Sequence, residues 1–151
     1  MIIRQGNPLD PEPRALLEAS HALMQSLFPA DSNHYLEVEA LAAPDITFLI
    51  AEIDGKPLGC AALARKPGYG ELKSMFVAQS ARGKGIAAAL LREIERIAQA
   101  EGIPILRLET GDLLTAAHRL YERHGFKRCA AFGDYPADGP HSVYMEKTLT
   151  P

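Results

Sequence analysis

Cysteines, long apolar runs and excess positive charge are scarce in this sequence, and each shortage excludes a class of protein. The two cysteines, Cys60 and Cys129, lie in strand-like segments without the spacing of metal ligands, so we expect a reduced, buried pair without a catalytic role. No apolar run approaches the length of a membrane span, and the N-terminus lacks a basic region followed by a hydrophobic one. We therefore expect a cytoplasmic protein with no membrane partner.

The charge balance and the histidine spacing argue against two further kinds of binding. A formal net charge of -3 does not favour broad electrostatic attraction to nucleic acid, so we expect no nucleic-acid partner. His118 and His124 lie six residues apart on a predicted helix and do not share a face, as metal ligands four residues apart would. We therefore predict no bound metal.

Chain length and apolar periodicity predict one domain of mixed α/β structure. A chain of 151 residues can bury roughly two thirds of its unfolded surface and is too short for two ordinary domains, so residues 1–151 are predicted to form a single domain. Period-two and helical patterns define the elements. The predicted strands are 2–4, 46–53, 58–64, 71–77, 105–109, 127–132 and 142–149, and the predicted helices are 14–28, 34–42, 86–101 and 114–124.

Two connections predict how neighbouring strands pair. Asp54 and Gly55 form the dipeptide that tight hairpin turns prefer, so strands 46–53 and 58–64 should pair antiparallel. A helix joins strand 71–77 to strand 105–109, and such a connection makes the two strands parallel in a right-handed crossover unit. The result is a mixed sheet with one obvious crossover unit.

The turn over residues 82–87, Arg-Gly-Lys-Gly-Ile-Ala, is the strongest local signal for a ligand. Two glycines one residue apart let the backbone approach a ligand closely, and the start of the next helix presents unpaired N–H groups with a partial positive charge. An isolated turn of this kind can also merely join a strand to a helix. The two flanking basic side chains, Arg82 and Lys84, favour the alternative of a site for an anion, and a diphosphate is the expected ligand.

Two nucleotide-binding signatures are alternatives to consider for this turn. Residues 83–88 fit a G-x-G-x-x-A dinucleotide fingerprint, with Glu109 at the end of the next strand where a ribose-binding acid is expected. The dinucleotide fold needs several successive crossover units with the fingerprint in the first, however, whereas hairpins precede the turn here. A Walker A string does not occur, which argues against an ATP or GTP hydrolase.

Two motifs at a fixed distance resemble the GNAT family of N-acetyltransferases. The turn matches the family's R/Q-x-x-G-x-G/A signature for acetyl-CoA, and a second motif fits the family's A-x-x-L-Y-E-x-x-G-F helix and turn. The residues of this second motif are Ala117, Leu120, Tyr121, Glu122, Gly125 and Phe126. Leu114 departs from the pattern, since many relatives carry Asn there. The strings Leu108-Glu109-Thr110-Gly111 and Phe132-Gly133-Asp134-Tyr135-Pro136 resemble a bacterial subgroup.

The resemblance implies a GNAT-like fold, in which helices flank a central, mostly antiparallel sheet with one parallel crossover pair. It also implies acetyl-CoA as the acyl donor, bound by the backbone of the strand and of the turn, and no metal. The implied cofactor-binding residues are Met75, Phe76, Val77, Arg82, Gly83, Lys84, Gly85, Ile86 and Ala87.

Two side chains carry catalysis in this interpretation. Glu71 falls on the glutamate that histone-type members use as a general base, although a solvated acid at a strand edge is an equally simple explanation of that residue. Tyr121 falls on the family's tyrosine near the cofactor sulfur, where a phenol serves as general acid. Glu109, Asp134 and Tyr135 are further candidates for contact with the acceptor.

These observations lead to one expected function and one alternative. We expect an N-acetyltransferase that moves an acetyl group from acetyl-CoA directly to a primary amine of a small molecule or protein, because no cysteine is poised beside a histidine to form a covalent intermediate. The alternative is a non-catalytic acyl-CoA-binding regulatory module. A homodimer is compatible with the sequence, since two-fold association is common among enzymes of this size.

Overall fold

A computed structural model describes residues 1–149, which form a seven-stranded sheet flanked by helices. The strand order is β1-β2-β3-β4-β5-β7-β6, and all neighbours are antiparallel except β4 and β5. The strands are β1 Ile2–Gln5, β2 Ile46–Ile53, β3 Lys56–Lys66, β4 Tyr69–Val77, β5 Ile105–Gly111, β6 Lys127–Arg128 and β7 Ser142–Thr148; the α-helices are α1 Pro11–Leu27, α2 Ile86–Ala100 and α3 Thr115–Arg123. The predicted fold class is thus confirmed.

Side chains alternate between two apolar layers, one on each face of the sheet. Along β2, Leu49 and Ala51 belong to the layer that α2 and α3 cover, whereas Phe48 and Ile50 belong to the layer that contains Leu17 of α1. Successive side chains of a strand point to opposite faces, so a strand covered on both faces must be apolar throughout. This requirement explains the nearly continuous apolar run of β2.

The first helix is confirmed and begins three residues earlier than predicted. Pro11 and Pro13 lie in its first turn, where the missing N–H groups would have no intrahelical partner, so proline is tolerated there. Its buried face contains Leu16 and Leu17, whereas Leu27, its last residue, is 38% exposed. Among residues 1–149, no helix combines the length and apolar character needed to cross a bilayer.

The predicted helix over 34–42 is wrong. Only a short 3-10 turn, Ala40–Ala42, forms there, and most of the preceding residues have no regular structure. Tertiary contacts hold the segment instead: the Tyr35 ring stacks on His21 at 4.0 Å, and Val38 and Leu41 are buried against the sheet. These contacts outweigh the weak helical periodicity of nine residues.

The hairpin and the crossover unit are confirmed, whereas the sixth strand is shorter than predicted. Asp54 and Gly55 both have positive φ, and β4 runs parallel to β5. Strand β6 pairs over only two residues, after which the Cys129 N–H donates to the Tyr144 carbonyl. The chain then leaves the sheet, and the Phe132 ring packs against the rings of Tyr69 and Tyr144 at 5.6 and 5.8 Å.

The start of α2 lies close against β3. A Cβ at Gly59 would lie 2.6 Å from Cγ2 of Ile86, which is buried at the first position of α2. Only glycine permits this approach, because real Cβ contacts are not so short. The turn over residues 82–87, called the glycine turn from here on, leads into α2 and is therefore fixed relative to the sheet.

Candidate functional site

The candidate site is a cleft that opens where β4 and β5 separate. The two strands pair only at Gly70 with Leu106 and at Glu71 with Arg107, and they diverge beyond that point. The diverging segments, 72–75 of β4 and 108–111 of β5, line one pocket together with residues of α1, of α3 and of the loop before β7. We call this pocket the cleft. Ligands bind preferentially in such openings at the ends of parallel strands.

A bulge in β4 shapes one wall of the cleft. Ser74 has a φ of 57°, and the pairing with β3 shifts register between Cys60 and Ala62. A non-glycine residue in the left-handed region is strained, and strain of this kind concentrates at functional sites. The Ser74 hydroxyl oxygen is also buried without a hydrogen-bond partner among residues 1–149.

The predicted backbone contacts of β4 lie next to this bulge. The Ala78 N–H donates to the Leu58 carbonyl of the β3 side, and N–H directions alternate along a strand. The N–H group of Val77 therefore points toward the edge that β5 has left, whereas that of Phe76 points toward β3. Met75 also lines the cleft. The geometry suits the predicted contact with a pantetheine arm, which stays a prediction.

The glycine turn has two residues with positive φ and opens the first turn of α2. Gly83 and Gly85 have φ values of 81° and 77°, and Gly85 caps the N-terminus of α2. The first hydrogen bond of the helix runs from the Ala89 N–H to the Gly85 carbonyl, so the earlier N–H groups of this turn have no intrahelical acceptor. A Cβ at either glycine would meet no atom within 4 Å, which leaves open space in front of the turn.

The remaining residues of the turn divide between solvent and core. Arg82 and Lys84 are exposed and, within residues 1–149, form no ion pair. Ile86 is buried, and Ala87 is half-buried. The predicted phosphate contacts would therefore come from backbone N–H groups, with two free cations beside them.

Tyr121 lies at the wall of the cleft with an unpaired hydroxyl. The side chain is 5% exposed, and its ring packs against Phe126 with centroids 5.7 Å apart. Tyr121 lines the cleft, and its hydroxyl has no hydrogen-bond partner among the described residues. Burial raises the pKa of Tyr121, so the phenol keeps its proton at neutral pH and is available as a donor.

Glu71 belongs to a buried cluster with Lys73 and Tyr135. Glu71 is 3% exposed, which excludes the simple explanation of a solvated acid at a strand edge. Its Oε2 accepts hydrogen bonds from Lys73 Nζ at 3.0 Å and from the Tyr135 hydroxyl at 2.5 Å, and Lys73 also donates to the Tyr135 oxygen at 2.6 Å. Burial, aided by the hydrogen bond to Glu71, raises the pKa of Tyr135. We call these three residues the Glu71 cluster.

Lys73 was not among the site residues predicted from the sequence. The available signal was its position two residues after Glu71, which places both side chains on the same face of β4. Lys73 and Tyr135 line the cleft, so the cluster forms part of its wall.

The second predicted carboxylate, Glu109, faces the cleft directly. Its Oε2 accepts a hydrogen bond from Ser142 Oγ at 2.7 Å, and the residue lines the cleft. Burial raises the pKa of Glu109, while the Ser142 hydrogen bond and the nearby charges of His34 and Lys73 lower it. The third candidate for acceptor contact, Asp134, is exposed and is not among the residues that line the cleft.

Neither cysteine is among the residues that line the cleft. Cys60 is buried in β3, and burial raises the pKa of its thiol to about 12. Cys129 is half-buried just after β6, and both cysteines are free. Within residues 1–149, histidine, cysteine and carboxylate side chains form no group of three or more that is arranged to hold a metal.

Comparison with known proteins gives consistent matches to acetyltransferases. Residues 14–126 match the family described as "Acetyltransferase (GNAT) family". The chain is 42% identical over 149 residues to an IAA acetyltransferase of Azospirillum brasilense, covering 97% of each chain. Among solved structures, a candidate acyl-CoA N-acyltransferase of Klebsiella pneumoniae has a TM-score of 0.82 and 32% identity, over 99% of this chain and 97% of that one.

A more distant solved structure shares only the fold. An aminoglycoside 6'-N-acetyltransferase, crystallised with coenzyme A, has a TM-score of 0.76 at 18% identity, over 100% of this chain and 98% of that one.

Proposed function

Because the chain belongs to the GNAT family of acetyltransferases, we propose that it transfers an acetyl group from acetyl-CoA directly to a primary amine of a small molecule or protein. One observation carries the proposal. Tyr121, whose hydroxyl has no hydrogen-bond partner among residues 1–149, lines the same cleft as residues 72–75 of β4, and the chain continues from β4 through the glycine turn into α2.

The turn and the open edge would hold the donor. Its pyrophosphate would accept hydrogen bonds from N–H groups of residues 83–87, and Arg82 and Lys84 would balance its charge. The N–H groups of Met75 and Val77 would bind the pantetheine arm, and that of Met75 would also polarise the acetyl carbonyl. Once bound, acetyl-CoA supplies a thioester that an amine can attack.

Two proton movements complete the transfer. Tyr121 would donate its phenolic proton to the departing sulfur, and burial keeps the phenol protonated until the thiolate develops beside it. A carboxylate would take a proton from the acceptor's ammonium group. The candidates are Glu71, predicted from the family resemblance, and Glu109, which shares the cleft with Tyr121.

Thiol release from acetyl-CoA tests the proposed reaction. The purified protein would be incubated with acetyl-CoA and a panel containing spermidine, an aminoglycoside, free amino acids and a lysine-containing peptide. We expect stoichiometric release of free thiol and of an acetylated amine with at least one acceptor. If acetyl-CoA binds without thiol release on any amine, a non-catalytic acyl-CoA-binding module is the better description.

A further inference from the structure

The two carboxylates near the cleft differ in how much of their hydrogen-bonding capacity is already used. Oε2 of Glu71 accepts from both Lys73 and Tyr135, and Glu71 itself is not among the residues that line the cleft. Lys73 Nζ, with its side chain only 11% exposed, balances the Glu71 charge at 3.0 Å. The Glu71 oxygen that would receive an ammonium group is therefore already occupied by two donors, one of them a cation.

Glu109 accepts only one hydrogen bond from the described residues, in contrast to Glu71. Ser142 donates to its Oε2, and no residue within the described range bonds to its Oε1. It lines the cleft together with Tyr121. Burial raises the pKa of Glu109, which makes the carboxylate a stronger base than an exposed glutamate.

We propose that Glu109 binds the ammonium group of the acceptor and removes its proton, while Glu71 is a positioning residue that holds Lys73 and Tyr135 in the wall of the cleft. This inference rests on the proposed acetyl transfer. It assigns different roles to the two carboxylates, Glu71 on β4 and Glu109 on the neighbouring strand β5.

The proton and bond changes balance. The ammonium nitrogen gives one proton to Oε1 of Glu109, and the neutral amine then forms a C–N bond to the acetyl carbon as the C–S bond breaks. Tyr121 gives its proton to the leaving sulfur and recovers one from the newly bonded nitrogen. Glu109 finally releases its proton to water, so an ammonium ion and a thioester yield an amide, a thiol and one proton.

Several charged or titratable groups face Glu109 and set its response to pH. Lys73 of β4 and His34 of the segment after α1 favour the carboxylate through their charges, and Glu71 opposes it. The phenols of Tyr135 and Tyr144 also lie within its electrostatic influence, and burial raises the pKa of each. Both phenols are neutral at pH 7, so the groups that act on Glu109 through charge are Lys73 and Glu71, and His34 wherever its ring is protonated.

A kinetic comparison of isosteric variants tests the assignment. With the amine that gives the fastest thiol release, Glu109→Gln should lower kcat/KM by ~100-fold or more, in the range that general-base removal gives. Its affinity for acetyl-CoA should stay within about threefold of the unaltered protein, because the residues of the glycine turn are not among those that line the cleft with Glu109. Glu71→Gln keeps an acceptor oxygen for both donors and should cost less than Glu109→Gln. The reverse order would overturn the proposal.

Ser142→Ala supplies a readout that a purely structural role would not move. The Ser142 hydrogen bond lowers the pKa of Glu109, so its loss raises that pKa. A base works when deprotonated, and the acid limb of the pH profile of kcat/KM should therefore shift to higher pH. An unchanged acid limb in an otherwise active Ser142→Ala variant would contradict the assignment.

Carbon-13 NMR of glutamate labelled at Cδ tests Glu109 without any acceptor. The resonance that is missing from Glu109→Gln identifies Glu109, and its titration midpoint should lie above the ordinary glutamate value of ~4.3. A midpoint at or below that value would overturn the proposal even if acetyl transfer is observed. If no amine in the panel is acetylated, the proposed function fails, and the NMR result still decides whether Glu109 is the more basic carboxylate.

Discussion

At the scale of single residues, Tyr121 offers the clearest separation of chemistry from binding. Its hydroxyl has no hydrogen-bond partner within residues 1–149, and its ring packs against Phe126. Tyr121→Phe keeps the ring and removes only the proton donor. We expect turnover to fall by roughly 100-fold with acetyl-CoA affinity unchanged, as measured by thiol release and by calorimetric titration of the donor.

A second phenol serves as the matched control. Tyr69 lies outside the cleft, where its ring packs against Phe132 and lies 4.8 Å from the Arg107 guanidinium. Tyr69→Phe should leave turnover within about twofold of the unaltered protein, because no step of the proposed reaction involves this hydroxyl. Equal rates for Tyr121→Phe and Tyr69→Phe would remove Tyr121 as general acid.

Lys73 is the residue whose loss should most affect stability near the site. Lys73→Met leaves the Glu71 carboxylate buried without its cation, and breaking a buried pair in this way costs about 3 kcal/mol. For a chain of this length, that loss corresponds to a fall of ~6–12 °C in Tm. Thermal unfolding followed by circular dichroism measures the change.

The double variant shows whether the loss arises from the unpaired charge. Glu71→Gln combined with Lys73→Met removes both charges, so it should be more stable than Lys73→Met alone. A double variant that is less stable than the unaltered protein by the sum of the two single effects would mean that the two side chains do not interact energetically.

At the scale of elements, the glycine turn should bind the donor through its backbone. Gly85→Glu places a negative charge and a side chain in the open space before α2, and we expect acetyl-CoA binding to be lost. Gly55 is the matched control, since it has the same φ of 77° and equally open surroundings in the hairpin between β2 and β3. Gly55→Ala should cost ~1–2 kcal/mol of folding stability without changing donor affinity.

Gly85→Ala completes this comparison. It carries the same backbone strain as Gly55→Ala, so the two variants should lose similar stability. Only the change at Gly85 should weaken acetyl-CoA binding in calorimetry. Micromolar binding by Gly85→Glu would exclude the turn as the phosphate site.

The elements that the sequence predicted well are those with a local cause. Asp54 and Gly55 specify a hairpin through their own backbone preferences, and the helix between strands 71–77 and 105–109 leaves little choice but a parallel pair. The segment 34–42 and the end of the sixth strand depend instead on distant contacts. The stacking of Tyr35 on His21 and the ring contacts of Phe132 have no signal in the local pattern.

At the scale of the whole molecule, the same distinction applies to the site. The glycine turn and Tyr121 were predicted because each lies in a short motif, and the structure brings Tyr121, Glu109 and Tyr135 to one cleft. The Glu71 cluster was not predicted, because Tyr135 reaches Glu71 across 64 positions of the chain. Periodicity describes which face a residue occupies, but it does not describe which residue of another element it meets.

The pH dependence of folding should show that Glu109 opposes the stability of the whole molecule at neutral pH. Burial raises the pKa of Glu109, so the folded protein holds that proton more tightly than the unfolded chain does. The stabilisation that comes from holding this proton is complete below the unfolded pKa of ~4.3. It is lost as the pH rises through the folded pKa of Glu109. Glu109→Gln should therefore have a higher Tm than the unaltered protein at pH 7, and the difference should shrink as the pH falls toward 4.

Glu93 provides a control of opposite sign in the same measurement. Hydrogen bonding by Arg96 lowers the pKa of Glu93, so its contribution is present above the unfolded pKa and is lost as the pH falls through the folded pKa. Glu93→Gln should lower the Tm slightly at pH 7, with the small effect typical of a surface ion pair. If Glu109→Gln also lowers the Tm at pH 7, the ionised carboxylate stabilises the fold. That result would exclude a raised pKa of Glu109 in the folded protein.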